Sequence, residues 1–570
     1  MTLPSAVGRS SSAEKTSPHP DLRTPSTRHL NWHAPPSPTR LLKPVLMLLL
    51  TALVLASTLQ FSKLVGGADA AVHRQGSLSD DACLGFSPRD LPGVTVAQRT
   101  YYPANATVQI SNDYIGIASS NLPALCRLQL VITTNATAGS GAETEVWLPD
   151  EWNARMLTVG SGGLAGGVAG VSTNGGHNSA AIDGSWGGPH DDNAIVDWAW
   201  RAVHLSVLAG KEVVKQFYNE APKKSYYLGC STGGRQGLKE IQLFPDSFDG
   251  AVVGSPANWL SRLTSWGVYL ARLVEPATSS RFIPQEVWTG VIAPEVMKQC
   301  DALDGVSDRV INDPRLCNFR PETLTCRPSQ DPSTCLNADQ IAALRHIYAD
   351  YYEDGAYVFG GFNPGGEDVY FSTYFQAGPS PLPSGWLEYM VLNDTEWTID
   401  QYNSSVYKIA DKINPGDANA IDPDLRAFAA PPRNGKVLHY VGLTDDVISP
   451  RNSFHYYDTV RAHVARSGPG ELDVDDFYRL FPVPGMNHCL VRLSPSRNSS
   501  FVESTVLTSP PVAPDAAHDI LAALLRWVEH GVAPTTIVAT KFRNDTLSEG
   551  VAFTRPLCKV RALFLGRWRR

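Results

Sequence analysis

Gly229-Cys230-Ser231-Thr232-Gly233 fits the pattern G-x-S-x-G, and the chemistry explains the pattern. A serine hydroxyl is nearly inert at neutral pH, so it must project from a sharp turn toward a base. The turn is strained and crowded, which keeps its neighbours small. The backbone N–H after the serine, that of Thr232, then points at the charge developing on an attacked carbonyl oxygen. The pattern also arises by chance in a chain with 46 glycines, so its surroundings matter. Ser225–Leu228 reads as an apolar strand and the stretch from about Arg235 as a helix, which puts the serine on a strand–turn–helix corner. Gly254-Ser255-Pro256 lacks the pattern and reads as a loop.

On an α/β-hydrolase scaffold the partners follow in the order serine, acid, histidine. Tyr440-Val441-Gly442-Leu443-Thr444-Asp445-Asp446-Val447-Ile448 places an acid just after an expected strand. Pro484-Gly485-Met486-Asn487-His488-Cys489 places a histidine in a tight loop after another. In this reading His488 accepts the proton of Ser231, and Asp445 fixes its tautomer and stabilises the imidazolium. Asp446 competes with Asp445 for the acid position. A loop aspartate is more often a cap or turn, and a lone loop histidine among 14 more often a surface residue. Cys230 directly precedes the serine and Cys489 directly follows the histidine. A disulfide between them would hold the reacting pair in register; two buried free cysteines are the plainer alternative.

These residues need a frame. From about Cys83 to Pro256 short β-rich runs alternate with helical stretches. Glu145–Leu148 and Met156–Val159 read as strands, and Asn193–Tyr218 as a long helix with Trp198, Val203, Leu208 and Val213 at roughly helical spacing. Lys436–Val441 and Phe477–Phe481 are further β-runs, and His518–His530 a closing amphipathic helix. The alternation predicts a doubly wound α/β sheet. Between about Ala257 and Ala430 cysteines cluster, turns crowd together, and aromatics sit among Pro and Gly. Residues 71–256 and 431–570 are therefore read as two parts of one α/β core, and 257–430 as an inserted second domain.

The 570 residues, 43% hydrophobic, suffice for a main domain and a second one, and 18% charged residues exclude wholesale disorder. With 48 basic against 56 acidic residues and a net charge of −8, no nucleic-acid partner is expected. Residues 1–44 form a polar leader, followed by the 17-residue apolar run Val45–Phe61. That run falls short of the ~20 residues of a bilayer span and is ample for a signal-peptide core. Ala68-Asp69-Ala70 before Ala71 has the form of a cleavage site. Residues 45–70 thus read as a cleaved signal peptide or as a signal anchor, because the leader is long and a start at Met47 would lack a basic flank. The protein is expected to be secreted, or membrane-tethered if the anchor is uncleaved. Six Asn-x-Ser/Thr sequons follow, at Asn105, Asn135, Asn393, Asn403, Asn498 and Asn544, as candidate glycosylation sites. All nine cysteines also follow, none in a C-x-x-C pair, which fits four disulfides and one odd thiol in an oxidising compartment.

At these motifs the chain resembles the tannase and feruloyl esterase family of secreted serine esterases, whose hallmark is a disulfide joining the neighbours of the catalytic Ser and His. The resemblance runs from about Cys83 to Phe542. It includes Glu145-Val146-Trp147-Leu148-Pro149, Trp152-Asn153, Gly160–Gly163, Gly229–Leu238, Phe244–Gly254, Asp301–Ile311, Val483–Cys489 and Trp527–Pro534. It implies an α/β-hydrolase core with an inserted lid, with Ser231 as nucleophile, Asp445 as acid, His488 as base and a Cys230–Cys489 bridge. The family's acid motif commonly reads His-Gly-x-x-Asp; Val441 replaces that His here, while the spacing selects Asp445. The Thr232 N–H and the Gly162-Gly163 loop are implied as the oxyanion hole. Independently, a Gly-Gly pair lets backbone approach a substrate closely, and an ordinary turn is its plain reading. The implied pairing continues with Cys83–Cys126, Cys300–Cys317 and Cys326–Cys335, leaving Cys558 over.

The stretch Asp301 to Val310 carries acids at positions 1, 4 and 8 around Gly305. Hard oxygen ligands on a tight loop suit Ca²⁺, although the spacing is not that of an EF-hand and a solvated acidic loop reads equally well. The resemblance implies a structural calcium ion in the lid, held by the carboxylates of Asp301, Asp304 and Asp308 and the carbonyls of Val306 and Val310. Arg309 stands where the family usually has Gly. The expected activity is that of a secreted serine carboxylesterase. The resemblance implies aromatic acyl esters as substrates: feruloyl or other hydroxycinnamoyl groups on plant cell-wall polysaccharide, as in xylan degradation, or galloyl groups in tannins. Another aromatic ester such as a phthalate-type monoester, and a peptidase on the same scaffold, are rivals. A catalytically inactive cell-surface binding protein is the alternative of another class.

Overall fold

The computed structural model describes residues 80–111, 116–162, 171–180, 182–188, 191–376, 380–466, 472–489, 512–543 and 549–560. The expected leader and apolar run, Gly163, Asn498 and Asn544 lie outside the described residues. Among those described, no helix is long and apolar enough to cross a membrane.

Five parallel strands form the centre: β1 (Arg155–Val159), β2 (Lys224–Cys230), β3 (Gly250–Gly254), β4 (Lys436–Gly442) and β5 (Tyr478–Val483), lying side by side in that order. Every residue of β3, and all but the first of β2 and β4, is buried, as expected of parallel strands covered on both faces. Successive side chains go to opposite faces. Tyr227, Ala251, Val253, Val437 and Val441 meet the helices Ala202–Tyr218, Thr232–Leu243 and Pro450–Arg466. Tyr226, Leu228, Val252, Leu438 and Tyr440 meet the closing helix Ile520–His530 through Leu521, Leu524 and Trp527. Such a sheet with helices on both faces is the α/β architecture the pattern predicts.

Two expectations shift. Glu145–Leu148 is strand, within Ser140–Pro149, but it belongs to a separate antiparallel sheet with Val94–Tyr102, Leu125–Asn135 and Ser172–Thr173. A short turn joins Leu125–Asn135 to Ser140–Pro149, and that hairpin pairing places the segment in the antiparallel sheet. The expected helix Asn193–Tyr218 starts at Asp192, passes through a π turn at Asp197–Arg201 and ends at left-handed Asn219. Asp191 caps it by accepting the Ala194 N–H.

Between β3 and β4, residues 255–435 add nothing to the central sheet. They build an apolar cluster around Trp266, Trp288, Phe359, Phe362, Tyr370 and Trp386, which Ile195, Trp198, Ala199 and Ile448 join from outside the insertion. The sulfur pairs are Cys83–Cys126, Cys230–Cys489, Cys300–Cys317 and Cys326–Cys335, the set the resemblance implies, and Cys558 is a free, exposed thiol. Asn105, Asn393 and Asn403 are exposed. Asn135 is half-buried, and its Nδ2, the atom a glycan would occupy, donates to Asn193 Oδ1 (2.9 Å).

The end of β4 carries a steric constraint. A Cβ on Gly442 would overlap the backbone carbonyl oxygens of Met486 and Asn487. Backbone cannot swing aside as a side chain can. Gly442→Ala is expected to destabilise the fold by about 1–3 kcal/mol and to displace the loop carrying His488. Urea unfolding beside an ester-turnover assay checks this; a variant as stable and active as the parent would show that the loop yields.

Candidate active site

Ser231 sits between the end of β2 and the helix Thr232–Leu243, with φ 62° and ψ −123°. A left-handed φ is costly for a residue with a Cβ, so the surroundings must hold it. The Ser231 N–H donates to Gly254 O at the end of β3 (2.9 Å). Its own carbonyl accepts from the N–H groups of Arg235 (3.0 Å) and Ala257 (3.1 Å). A Cβ on Gly229 would press on the Gly233 backbone, and one on Gly233 on that of Gly160 and Ser161. The small neighbours of the pattern are therefore required by contact. The Arg235-to-Ser231 bond also makes the helix begin at Thr232 rather than near Arg235. The low helix propensity of Gly233 and Gly234 hides that start in the sequence.

The segment after β1 leans on the same corner. Gly160 N–H donates to Leu228 O (3.0 Å) and Ser161 N–H to Gln236 Oε1 (3.0 Å). Gly162, half-buried, follows directly, and Gly163 lies outside the described residues. Thr232 occupies the first position of the helix, whose terminal N–H groups and macrodipole favour negative charge.

His488 Nδ1 lies 2.9 Å from Asp445 Oδ2 and 3.0 Å from Oδ1. Asp445 is fully buried, at 0% side-chain exposure, against 15% for His488. Asp445 Oδ1 also accepts the N–H groups of Val447 (3.0 Å) and Ile448 (2.8 Å), which fixes the carboxylate. Asp446 faces the backbone instead, its Oδ1 accepting the His488 N–H (3.2 Å). The geometry thus separates two acids that sequence order left in competition: Asp445 holds the ring. With Nδ1 engaged by Asp445, Nε2 is the ring nitrogen on the other side, and it lies 3.5 Å from Cys489 Sγ. That sulfur is bonded to Cys230, the neighbour of Ser231, with the two Cα atoms 5.9 Å apart.

Burial pushes the His488 imidazole down, but the Asp445 charge and hydrogen bond, with the charge of Asp446, outweigh it and hold its pKa above the ordinary value. Burial, and then the neighbouring Asp445, push the Asp446 carboxyl up.

Residues of the inserted segment that the sequence reading gave no role also brace the site. Asn363 Nδ2 donates to Leu443 O (3.0 Å), Thr373 Oγ1 to Asp446 Oδ2 (2.9 Å) and the Tyr374 hydroxyl to Val447 O (2.7 Å). Behind Ser231, fully buried Arg235 donates to Ala199 O (2.8 Å) and Ala418 O (3.1 Å) and lies over Trp198. Burial pushes its pKa down to about 9. No local motif marks these contacts, because each joins segments distant in sequence.

The Asp301–Val310 loop opens with a tight turn, Asp301–Asp304, closed by left-handed Gly305. Each carboxylate caps the loop's own backbone: Asp301 accepts the Arg309 N–H, Asp304 that of Val306 and Asp308 that of Val310. Arg309 adopts φ 68°, where a glycine would be unstrained. Asp308 is also ion-paired with Arg555. The donors have the hard-oxygen chemistry that calcium takes. In this arrangement no three acidic, His or Cys groups among the described residues converge on one point.

Residues 126–564 match the family model described as tannase and feruloyl esterase. A probable feruloyl esterase B-2 of Aspergillus oryzae is 33% identical over 495 residues, covering 84% of this chain and 91% of that protein. The crystal structure of feruloyl esterase B from Aspergillus oryzae superposes with a TM-score of 0.75 at 34% identity, covering 82% of this chain and 93% of that one. A tannin acyl hydrolase from Aspergillus niger shares the fold, with a TM-score of 0.65 at 23% identity and coverage of 84% and 91%.

Three outcomes follow from the geometry. His488 must be neutral to accept a proton, so ester turnover should be lost as pH falls through its raised pKa. The acid limb of kcat/KM is therefore expected above ~6.5, the ordinary imidazole value. Asp445→Asn should lower kcat by about 10⁴-fold and move that limb down; a limb below the ordinary value in the parent would contradict the assignment. Replacing Cys230 and Cys489 together by Ser should cost on the order of 10²-fold in kcat through misplacement of the base, read by steady-state kinetics on folded protein.

Proposed function

This chain belongs to the tannase and feruloyl esterase family, and we propose that it is a secreted serine carboxylesterase acting on aromatic acyl esters, foremost feruloyl and related hydroxycinnamoyl esters of plant cell-wall polysaccharide. The observation that carries the mechanism is the Asp445–His488 pair, bonded through Cys489 to the residue beside Ser231. Ser231 Oγ attacks the ester carbonyl while His488 Nε2 takes its proton. Asp445 stabilises the imidazolium. The oxyanion is received by the Thr232 N–H, with the Gly162-Gly163 segment as the second donor. His488 protonates the departing alcohol, then activates the water that releases the acid.

Relatives at a third identity carry feruloyl esterase names, while the tannin acyl hydrolase is more distant; this favours ferulate over gallate. Secretion is supported by the four disulfides and the exposed sequons. The Asp301–Val310 loop is proposed to take a structural calcium ion on the carboxylates of Asp301, Asp304 and Asp308 and the carbonyls of Val306 and Val310. Arg555, paired with Asp308, would compete with the ion for that carboxylate.

Acid release from methyl ferulate, methyl caffeate, methyl gallate and an aliphatic ester, beside Ser231→Ala, tests the activity. Loss of the nucleophile should reduce kcat by on the order of 10⁶, and methyl ferulate should exceed methyl gallate. A folded protein that turns over no ester would point to a binding role instead. For the loop, calcium should raise the melting temperature and Arg555→Gln should tighten calcium binding by titration calorimetry. Melting indifferent to calcium and to chelator would remove the ion from this reading.

A further inference from the structure

Asp446 does not hold the imidazole, yet it touches the catalytic histidine and the inserted segment at once. One oxygen accepts the His488 backbone N–H (3.2 Å); the other accepts the Thr373 hydroxyl (2.9 Å). Thr373 lies in the π turn Phe371–Phe375, and the next residue, Tyr374, donates to the carbonyl of Val447 (2.7 Å). One turn of the inserted segment thus grips two successive residues of the acid loop, and the first of them grips the histidine. We propose that Asp446 is a positioning residue that couples the seating of the inserted segment to the placement and charge of His488. The proposal rests on the esterase reading above and adds a residue to it.

Asp445 cannot serve this purpose. It is occupied by the ring and by the N–H groups of Val447 and Ile448. Asp446 acts on the main chain, which determines where the ring stands relative to Ser231, and a displacement of about 1 Å there costs on the order of 10²-fold in rate. A neutral acceptor would suffice for position alone. A carboxylate does more, because the imidazolium formed during attack then meets two negative charges. The groups facing Asp446 are Asp445 and His488 on the core side, and Thr373, Tyr370 and Tyr374 on the inserted segment, with Glu367 and Asp368 acting on Tyr370. His488, once protonated, is the cation that answers its charge.

The test compares the parent, Asp446→Asn, Thr373→Val and Thr373→Ser, with Ser231→Ala as control. It reads kcat and KM for methyl ferulate against pH, and the pKa of His488 by NMR of its ring proton. Asp446→Asn keeps the acceptor and removes the charge. Both the NMR pKa and the acid limb should then fall together. Thr373→Val should lower kcat by about tenfold with the limb unmoved, and Thr373→Ser should restore it. An unshifted His488 pKa in Asp446→Asn, or parent kcat in Thr373→Val, would overturn the proposal. Should Asp446→Asn fail to fold, the Thr373 pair still decides it. A parent no more active than Ser231→Ala on any ester would sink the esterase reading separately, since the NMR shift needs no turnover.

Discussion

The Cys230–Cys489 bond is the constraint around which the site is arranged. Cys230 ends β2, whereas the histidine loop leaves β5, three strands away. At ordinary strand spacing that is ~14 Å, yet the two Cα atoms are 5.9 Å apart. The loop must therefore run back over the end of β4, and it does so where Gly442 offers no side chain to obstruct it. In the chain-entropy model, closing a loop of 259 residues restricts the unfolded chain by on the order of 5 kcal/mol. Its consequence is that Ser231 and His488, the proposed nucleophile and base, stand beside the two ends of one short covalent link.

Electrostatics then depend on this crossing. The histidine loop passes over the acid loop, so Asp445 reaches the ring and Asp446 reaches the main chain of the same residue. Burial alone would make the imidazole a weaker base. Two adjacent carboxylates reverse that, at the cost of pushing the Asp446 carboxyl up. The acid loop withstands this repulsion because backbone N–H groups fix one carboxylate and the inserted segment holds the other. The insertion between β3 and β4 thus braces the acid loop, and its apolar cluster takes in Trp198, Ala199 and Ile448 from outside the insertion.

Much of this was legible in the sequence, for reasons that are local. The G-x-S-x-G corner reports a strained turn, and strain acts between residues adjacent in sequence. The serine–acid–histidine order follows from strand order in a sheet whose connections are regular. The buried runs of β2, β4 and β5 announce themselves by composition. The pairing of cysteines and the choice of Asp445 are implied by family likeness alone; in the fold the four bridges form and Asp445 meets the His488 ring.

What the sequence by itself determined is the kind of scaffold, and which residues on it are candidates for the proposed chemistry. Tertiary structure alone decided which sheet receives Glu145–Leu148, where the helix after Ser231 begins, and how Asp445 and Asp446 divide their work. It also supplied Thr373, Tyr374 and Arg235 as supports, and set Arg555 on Asp308 beside the expected calcium donors. The physical reason is range. Propensity, strain and periodicity act over a few residues, whereas these contacts join segments brought together only when loops cross the ends of a closed sheet.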